Sequence, residues 1–419
     1  MCGGHGAVWT PTFRAMSIID RYAALVLDLD GVVFRGDDPI RGASTFLKRS
    51  RKQRPPMCFV TNSSARTPKE WAELCARHKL NVDADDILTS ATATAELLRQ
   101  SATQTAFVLG EFGLREALRT AGIRVVADAR EAEAVVVGWD RSLTYEKLRD
   151  AAAAIDRGAR FVATNPDRMV PVNGGRVPGT GATVAFLRTA TGVAPEIVGK
   201  PLTGLFELAR SRLGVDGPVL VVGDQVTTDV AAARAMGWDA ALVRSGLDSW
   251  PQLVDATVTP TWVIADLSGL DGPEPPVVRH AREQDITAIR ELLGASSFDV
   301  KGAAGRLRTT LIAESASGVV VGSISWELVE TAAHLRGITV AQAERGFGTG
   351  SHLIARALQE LRRDSVEWAY LLTPGADQLF EKLGFWRVHR DRVPEEILAT
   401  AQYGGPADGA IALVRRLSS

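Results

Sequence analysis

Residues 20 to 266 alternate short apolar runs with segments of helical spacing, and few folds accept that rhythm. The runs "AALVLDL", "PMCFVTN", "AFVLG", "AVVVGW", "RFVATN", "PEIVG", "VLVVGD" and "AALVRSG" have strand length and little polar alternation. A strand without alternation is covered on both faces, the condition of a parallel sheet flanked by helices. Between them, "TPKEWAELCARHKL", "GLREALRTAG", "TYEKLRDAAAAIDRG" and "LTGLFELARSRLG" space apolar residues three and four apart, as helices laid on such a sheet do. The expected fold class is α/β. Residues 267–276, "LSGLDGPEPP", read as an interdomain linker. Past it, long alternating stretches such as "TTLIAESASGVVVGSISWELV" predict an antiparallel meander in a separate α+β unit. No internal repeat is visible.

A length of 419 residues calls for two or three cores rather than one. Charged residues make up 23% of the chain and nearly cancel, to a net charge of −1, which argues against nucleic acid or a membrane surface as partner. Three cysteines, Cys2, Cys58 and Cys75, form no CxxC pair and suit a reducing compartment. No apolar run approaches the ~18 residues of a membrane span. The opening "MCGGHGAVWTPTFRAMSIID" lacks the apolar stretch of a secretory signal. Residues 1–19, including His5, are therefore expected to be a disordered leader, with Met16 an alternative start and the cytoplasm the expected location.

Ligands of an open parallel sheet sit beyond the carboxyl ends of its strands. Four apolar runs end there in a polar group: "LVLDLDG" in Asp28 and Asp30, "MCFVTNSS" in Thr61 and Asn62, "EIVGKP" in Lys200, and "VLVVGDQVTTD" in Asp224 with Asp229. A strand over 23–29 would point Asp28 and Asp30 to one side, because side chains alternate with period two. Two crowded carboxylates repel unless positive charge sits between them. The four ends together describe a magnesium and phosphate site. Asp28 and Asp224 would bind Mg²⁺ through carboxylates and Asp30 through its carbonyl, with Asp229 supporting the metal or orienting Lys200. Thr61 and nearby N–H groups would take phosphoryl oxygens, and Lys200, one of only eight lysines, would neutralise charge. Asp28 would then be the nucleophile and Asp30 the general acid and base of phosphate-ester hydrolysis.

On these motifs residues 20–266 resemble the haloacid dehalogenase superfamily, in the subclass whose α/β cap is inserted between the second and third motifs. The resemblance implies a Rossmann-like core over 20–87 and 191–266 and a cap over 88–190. It carries the nucleophile role to Asp28, acid/base to Asp30, phosphate binding to Thr61, Asn62 and Lys200, and metal binding to Asp28, Asp30 and Asp224, with Asp229 behind them. Aspartate two residues after the nucleophile is the phosphatase form; the ATPases of the superfamily usually carry Thr there. Within the cap, "FVATNPDRMVPVNGGRVPGTGATVAF" resembles the specificity loop of the subclass, which would set Asp167, Arg168, Met169 and Val170 over the site. A domain-sized lid favours small metabolites over protein phosphates.

Residues 277–419 carry "ITVAQAERGFGTGSHLIARALQEL", a strand running into Arg345, Gly346, Gly348 and Gly350 and then a helix. Such a glycine loop at a helix N-terminus suits a pyrophosphate. With "LFEKLGFWRV" downstream, the module resembles the GCN5-related N-acetyltransferases, which implies acetyl-CoA as its ligand. Where many of those enzymes place a tyrosine acid, this chain has Phe380, and Glu314, Glu327 and His334 are bases only by proximity to strands. The pairing of the two modules resembles the glycerol-3-phosphate phosphatases of actinobacteria, implying glycerol 3-phosphate as substrate. Phosphoglycolate, pyridoxal phosphate, a nucleotide, or a phosphatase joined to an acetyltransferase remain the alternatives. Association into a homo-oligomer is left open.

Overall fold

Six strands of the computed structural model form a parallel sheet in the order 262–264, 239–243, 219–223, 24–28, 57–61, 87–89. The structure describes residues 17–49, 54–172, 175–246, 250–295, 304–345, 347–373, 377–400 and 411–417. Of residues 1–19, expected to be a disordered leader, the described ones are Ser17–Ile19, and these are packed: Ile18 and Ile19 are buried in the core. His5 and Met16 lie outside the described residues.

Period two explains how the sheet is buried on both sides. Leu25, Leu27, Phe59 and Val222 enter one apolar cluster with Phe46 and Trp71, whereas Ala24, Val26, Cys58, Val60 and Val221 enter another on the opposite face. Each fully buried large side chain here contributes about 1.5–3 kcal/mol relative to its exposed state. Strand order reverses beside the 24–28 strand: the chain runs outward to 57–61 and 87–89, then returns to 219–223 on the other side. That reversal opens a crevice at the carboxyl ends, where a ligand can enter without displacing a crossover.

A second parallel sheet has the order 196–197, 160–163, 134–137, 105–109, 124–126, with the hairpin 169–172/175–178 beside it. "PEIVG" therefore gives no core strand. Only Glu196–Ile197 are extended, and they pair with Arg160–Ala163 in this second sheet. A third sheet holds seven strands, 277–280, 310–314, 320–329, 332–340, 368–373, 411–416 and 386–388 in spatial order. It is mixed rather than a pure meander, because 332–340 and 368–373 run parallel on either side of the helix Thr349–Arg363.

The Gly/Pro-rich 267–276 stretch is packed rather than loose. Leu267 and Leu270 are buried in the core, and Asp271 receives bonds from Arg49 and Arg54. Glu274 pairs with Arg21. Among the described residues no helix is long and apolar enough to cross a membrane.

Candidate active site

The 24–28 strand ends at Asp28, so Asp30 stands in the following turn rather than on the strand. Leu29 nonetheless continues into the cluster of Leu25 and Leu27, which leaves both carboxylates on the other side, at the crevice. The turn depends on Gly31, whose φ of +80° is open to glycine at no cost and whose missing Cβ would lie 2.1 Å from Asp224 Oδ2.

Lys200 joins the acidic residues. Its ammonium donates to Asp28 Oδ1 at 2.7 Å and to Asp229 Oδ1 at 2.6 Å, with all three side chains buried. It does not arrive on a core strand, as the apolar run suggested. It sits just past the two-residue strand of the second sheet, where the chain re-enters the core. Asp229 reaches the same point because the residues after Asp224 wind as a π-helix, Val226–Val230, which turns its side chain back toward the strand end. There Gln225 N–H donates to Asp229 Oδ2 at 3.1 Å.

Carboxylate oxygens of Asp28, Asp224 and Asp229 lie within 4.8 Å of one another. Asp30 is not of that group through its side chain: its Oδ2 accepts from Thr61 Oγ1 at 3.0 Å, and Thr61 Oγ1 accepts from Ser63 N–H at 2.9 Å. Four buried or half-buried carboxylates thus face a single ammonium. That excess of negative charge, on oxygen donors alone, fits a hard divalent cation and would be costly without one. The electrostatics say the same. Burial pushes the Asp28 carboxyl well above its usual range; Lys200 lowers it, while Asp229, Asp224 and Asp30 raise it further. Burial also raises Asp30, against the Thr61 hydrogen bond, Lys200 and Arg66, which lower it. For Lys200, burial alone would favour loss of its proton, but Asp229 and Asp28 outweigh it and the ammonium stays charged.

Asn62 ties the first sheet to the chain that follows the 160–163 strand of the second. Its Oδ1 accepts Lys200 N–H at 2.8 Å, and its Nδ2 donates to Lys200 O at 3.1 Å and to Asp167 Oδ2 at 3.2 Å. Of the four residues of the expected specificity loop, Asp167 alone bonds to Asn62. Arg168 and Met169 are exposed and Val170 is partly covered. Burial raises the Asp167 carboxyl, with Lys200 and Asn62 pulling the other way.

Three contributors were not singled out in the sequence. Asn165 donates to Asn62 O at 2.8 Å and accepts Asp167 N–H at 3.1 Å. Its signal was there: "FVATN" repeats the strand-then-Thr-Asn form of "FVTN". Ser90 also donates to Asn62 O, at 2.6 Å. Gly246 lies against Asp224, where a Cβ would fall 2.0 Å from the Asp224 Cβ, and no local pattern announces it.

In the C-terminal module Arg345 donates to Val340 O at 2.9 Å, and Gly348 takes φ +99° before the helix, with Gly350 in its first turn. Gly346 lies outside the described residues. Phe380 is buried edge-to-face on Phe385 at 6.0 Å, so no acidic proton stands there. Glu314 is held by Arg279, and Glu327 by Arg336 at 2.6 Å. His334 bonds Thr400 at 2.7 Å, and burial with Arg336 nearby holds its pKa down to about 4. All three candidate bases are engaged in structural pairs.

Comparison with known proteins bears on both modules. The model of haloacid dehalogenase-like hydrolases matches residues 25–124, an HAD-hydrolase-like model matches 197–270, and an acetyltransferase (GNAT) domain model matches 306–387. An acid sugar phosphatase of Staphylococcus epidermidis is 34% identical over 249 residues, 59% of this chain and 96% of that protein. The 5'-nucleotidase YutF of Bacillus subtilis is 35% identical over 249 residues, with the same shares. Among solved structures, glycerol phosphate phosphatase Rv1692 from Mycobacterium tuberculosis in complex with magnesium superposes with a TM-score of 0.67 at 27% identity. It covers 88% of this chain and 98% of that one, both modules included. The chain belongs to the haloacid dehalogenase-like hydrolases, among relatives named as phosphatases.

Proposed function

We propose that the chain hydrolyses a small phosphate monoester, glycerol 3-phosphate first among candidates, to an alcohol and orthophosphate. The observation that carries the reading is the buried cluster in which Lys200 bonds both Asp28 and Asp229 while Asp224 and Asp30 stand beside it. The choice of glycerol 3-phosphate rests on likeness to Rv1692, which extends over the C-terminal module. In this reading residues 88–190 are the cap and 20–87 with 191–266 the core.

Asp28, oriented by Lys200 through Oδ1, attacks phosphorus. The ester P–O bond breaks as the Asp–O–P bond forms, and Asp30, whose carboxyl burial shifts toward the protonated form, gives its proton to the departing alkoxide. Asp30, now a carboxylate, then takes a proton from water, whose oxygen displaces Asp28 from phosphorus. Lys200 and Thr61 with its neighbouring N–H groups hold the phosphoryl oxygens, so most of the acceleration is positioning and charge stabilisation. A divalent cation held by Asp28, Asp224 and the Asp30 carbonyl, with Asp229 alongside, would supply neutralising charge to the same oxygens. Asp167, held by Asn62 and Asn165 at the cap–core boundary, presents a hydrogen-bond acceptor to the hydroxyls of a polyol leaving group and excludes bulk water.

The test is phosphate release over a panel of glycerol phosphates, sugar phosphates, phosphoglycolate, pyridoxal phosphate and nucleotides, with Mg²⁺ or with chelator, wild type beside Asp28→Asn. Turnover that requires Mg²⁺ and vanishes in the variant supports the reading. Turnover that survives Asp28→Asn refutes it, and preference for another ester overturns the substrate alone. Acetyl transfer is not part of the proposal, because Phe380 offers no proton to a thiolate.

A further inference from the structure

The C-terminal domain meets the core at the short helix Trp250–Asp255. A six-residue helix is marginal alone, and its last carbonyls have no partner within it. Here the other domain supplies partners, beside the Ala256 N–H that reaches Leu253 O at 3.4 Å. Gln359, nine-tenths buried on the helix Thr349–Arg363, donates Nε2 to Leu253 O at 2.6 Å. Arg362 on the same helix donates to Asp255 O. Arg415, buried on the 411–416 strand, donates to Asp255 Oδ1 at 2.7 Å and to Leu383 O. Gly384 makes room for Arg415: a Cβ there would meet its guanidinium at 2.4 Å. Leu253 and Val254, both buried, share an apolar cluster with Leu353, Ile354 and Leu358 of the C-terminal domain.

The same segment touches the metal-site residues just before the helix. Ser245 Oγ donates to Gly31 O at 3.0 Å, Arg35 donates to Ser245 O at 2.6 Å, and Gly246 packs against Asp224. Residues 245–246 are thus pressed on Gly31 and Asp224, and the helix 250–255, four residues further on, is gripped by the C-terminal domain.

We infer that the C-terminal domain is a brace for the phosphatase metal site: Gln359 and Arg415, acting through the 250–255 helix, are positioning residues that keep the 244–246 segment against Asp224. The inference rests on the metal-site reading above but not on the substrate. It also assigns work to a domain whose acetyltransfer positions are taken up by packing and ion pairs.

The test uses the full chain with three variants. Gln359→Leu removes a donor from the C-terminal side. Asp255→Ala removes an acceptor from the core side and leaves the C-terminal domain intact, so misfolding of that domain cannot explain a shared effect. Arg387→Ala breaks the exposed pair with Glu381 and serves as control. Mg²⁺ affinity is read by calorimetry, and amide exchange is followed over 240–255. Gln359→Leu and Asp255→Ala are expected to speed exchange there and to weaken Mg²⁺ binding about three- to tenfold, the range one or two net hydrogen bonds supply, with kcat at saturating Mg²⁺ little changed. Arg387→Ala is expected to change neither. Unaltered Mg²⁺ affinity in variants whose exchange has quickened overturns the brace, as does unaltered exchange. Failure of the wild type to bind Mg²⁺ overturns the metal-site reading, and with it the brace.

Discussion

Replacing Lys200 by Met tests the electrostatic argument most directly. The change keeps the length of the stem and deletes one buried charge that touches two carboxylates, at 2.7 and 2.6 Å. Removing one member of a buried ion pair leaves the other uncompensated, at about 3–5 kcal/mol. If that loss falls on the transition state, kcat drops by about two to nearly four powers of ten. If it falls on the fold, the metal-free protein loses stability, more at pH 8 than at pH 5.5, because burial already shifts the Asp28 and Asp30 carboxyls toward the protonated form and a bound proton lessens the need for the ammonium. Phosphate release at saturating Mg²⁺ reads the first, and urea unfolding at the two pH values in chelator reads the second. Lys200→Arg is not expected to rescue either, because a planar guanidinium cannot occupy the closed space of an ammonium. A Lys200→Met enzyme within about threefold of wild type, as stable as wild type at pH 8, would refute the claim that this lysine neutralises the cluster.

Asp30→Asn removes the proton donor and acceptor but not the nucleophile. With p-nitrophenyl phosphate, whose leaving group needs no proton, a burst near one equivalent per chain is expected, followed by turnover slowed about 10²–10⁴-fold; absence of a burst with equally slow turnover would assign Asp30 to the first step instead. Metal removal gives a stability prediction with a definite sign. Asp28, Asp30 and Asp167 have folded-state pKa values raised above their unfolded values near about 4, so the folded chain holds more protons through that window. Their contribution is present below the unfolded pKa and is lost as pH rises through the folded ones. Metal-free protein should therefore melt at lower temperature at pH 8 than at pH 5.5, and Mg²⁺ should remove that slope; a melting temperature that does not fall over the interval in chelator would contradict it.

Local pattern carried the parts of this protein that repeat at short range. Apolar runs of strand length predicted the parallel core sheet because burial on both faces leaves no room for polar alternation. The positions of Asp28, Thr61 and Asp224 at strand ends followed, since in-register parallel strands bring their carboxyl ends together. Lys200 was named for its Gly–Lys–Pro setting but was placed on the wrong kind of element, because two extended residues of the second sheet look, in one dimension, like the tail of a core strand. The hold of Asp167 by Asn62 and Asn165, the closeness of Gly246 to Asp224, and the grip of Gln359 and Arg415 on the 250–255 helix were decided only by tertiary structure. Each joins sides of the molecule that sequence periodicity does not relate, and a hydrogen bond across a hundred or more residues leaves no trace in the spacing of either partner.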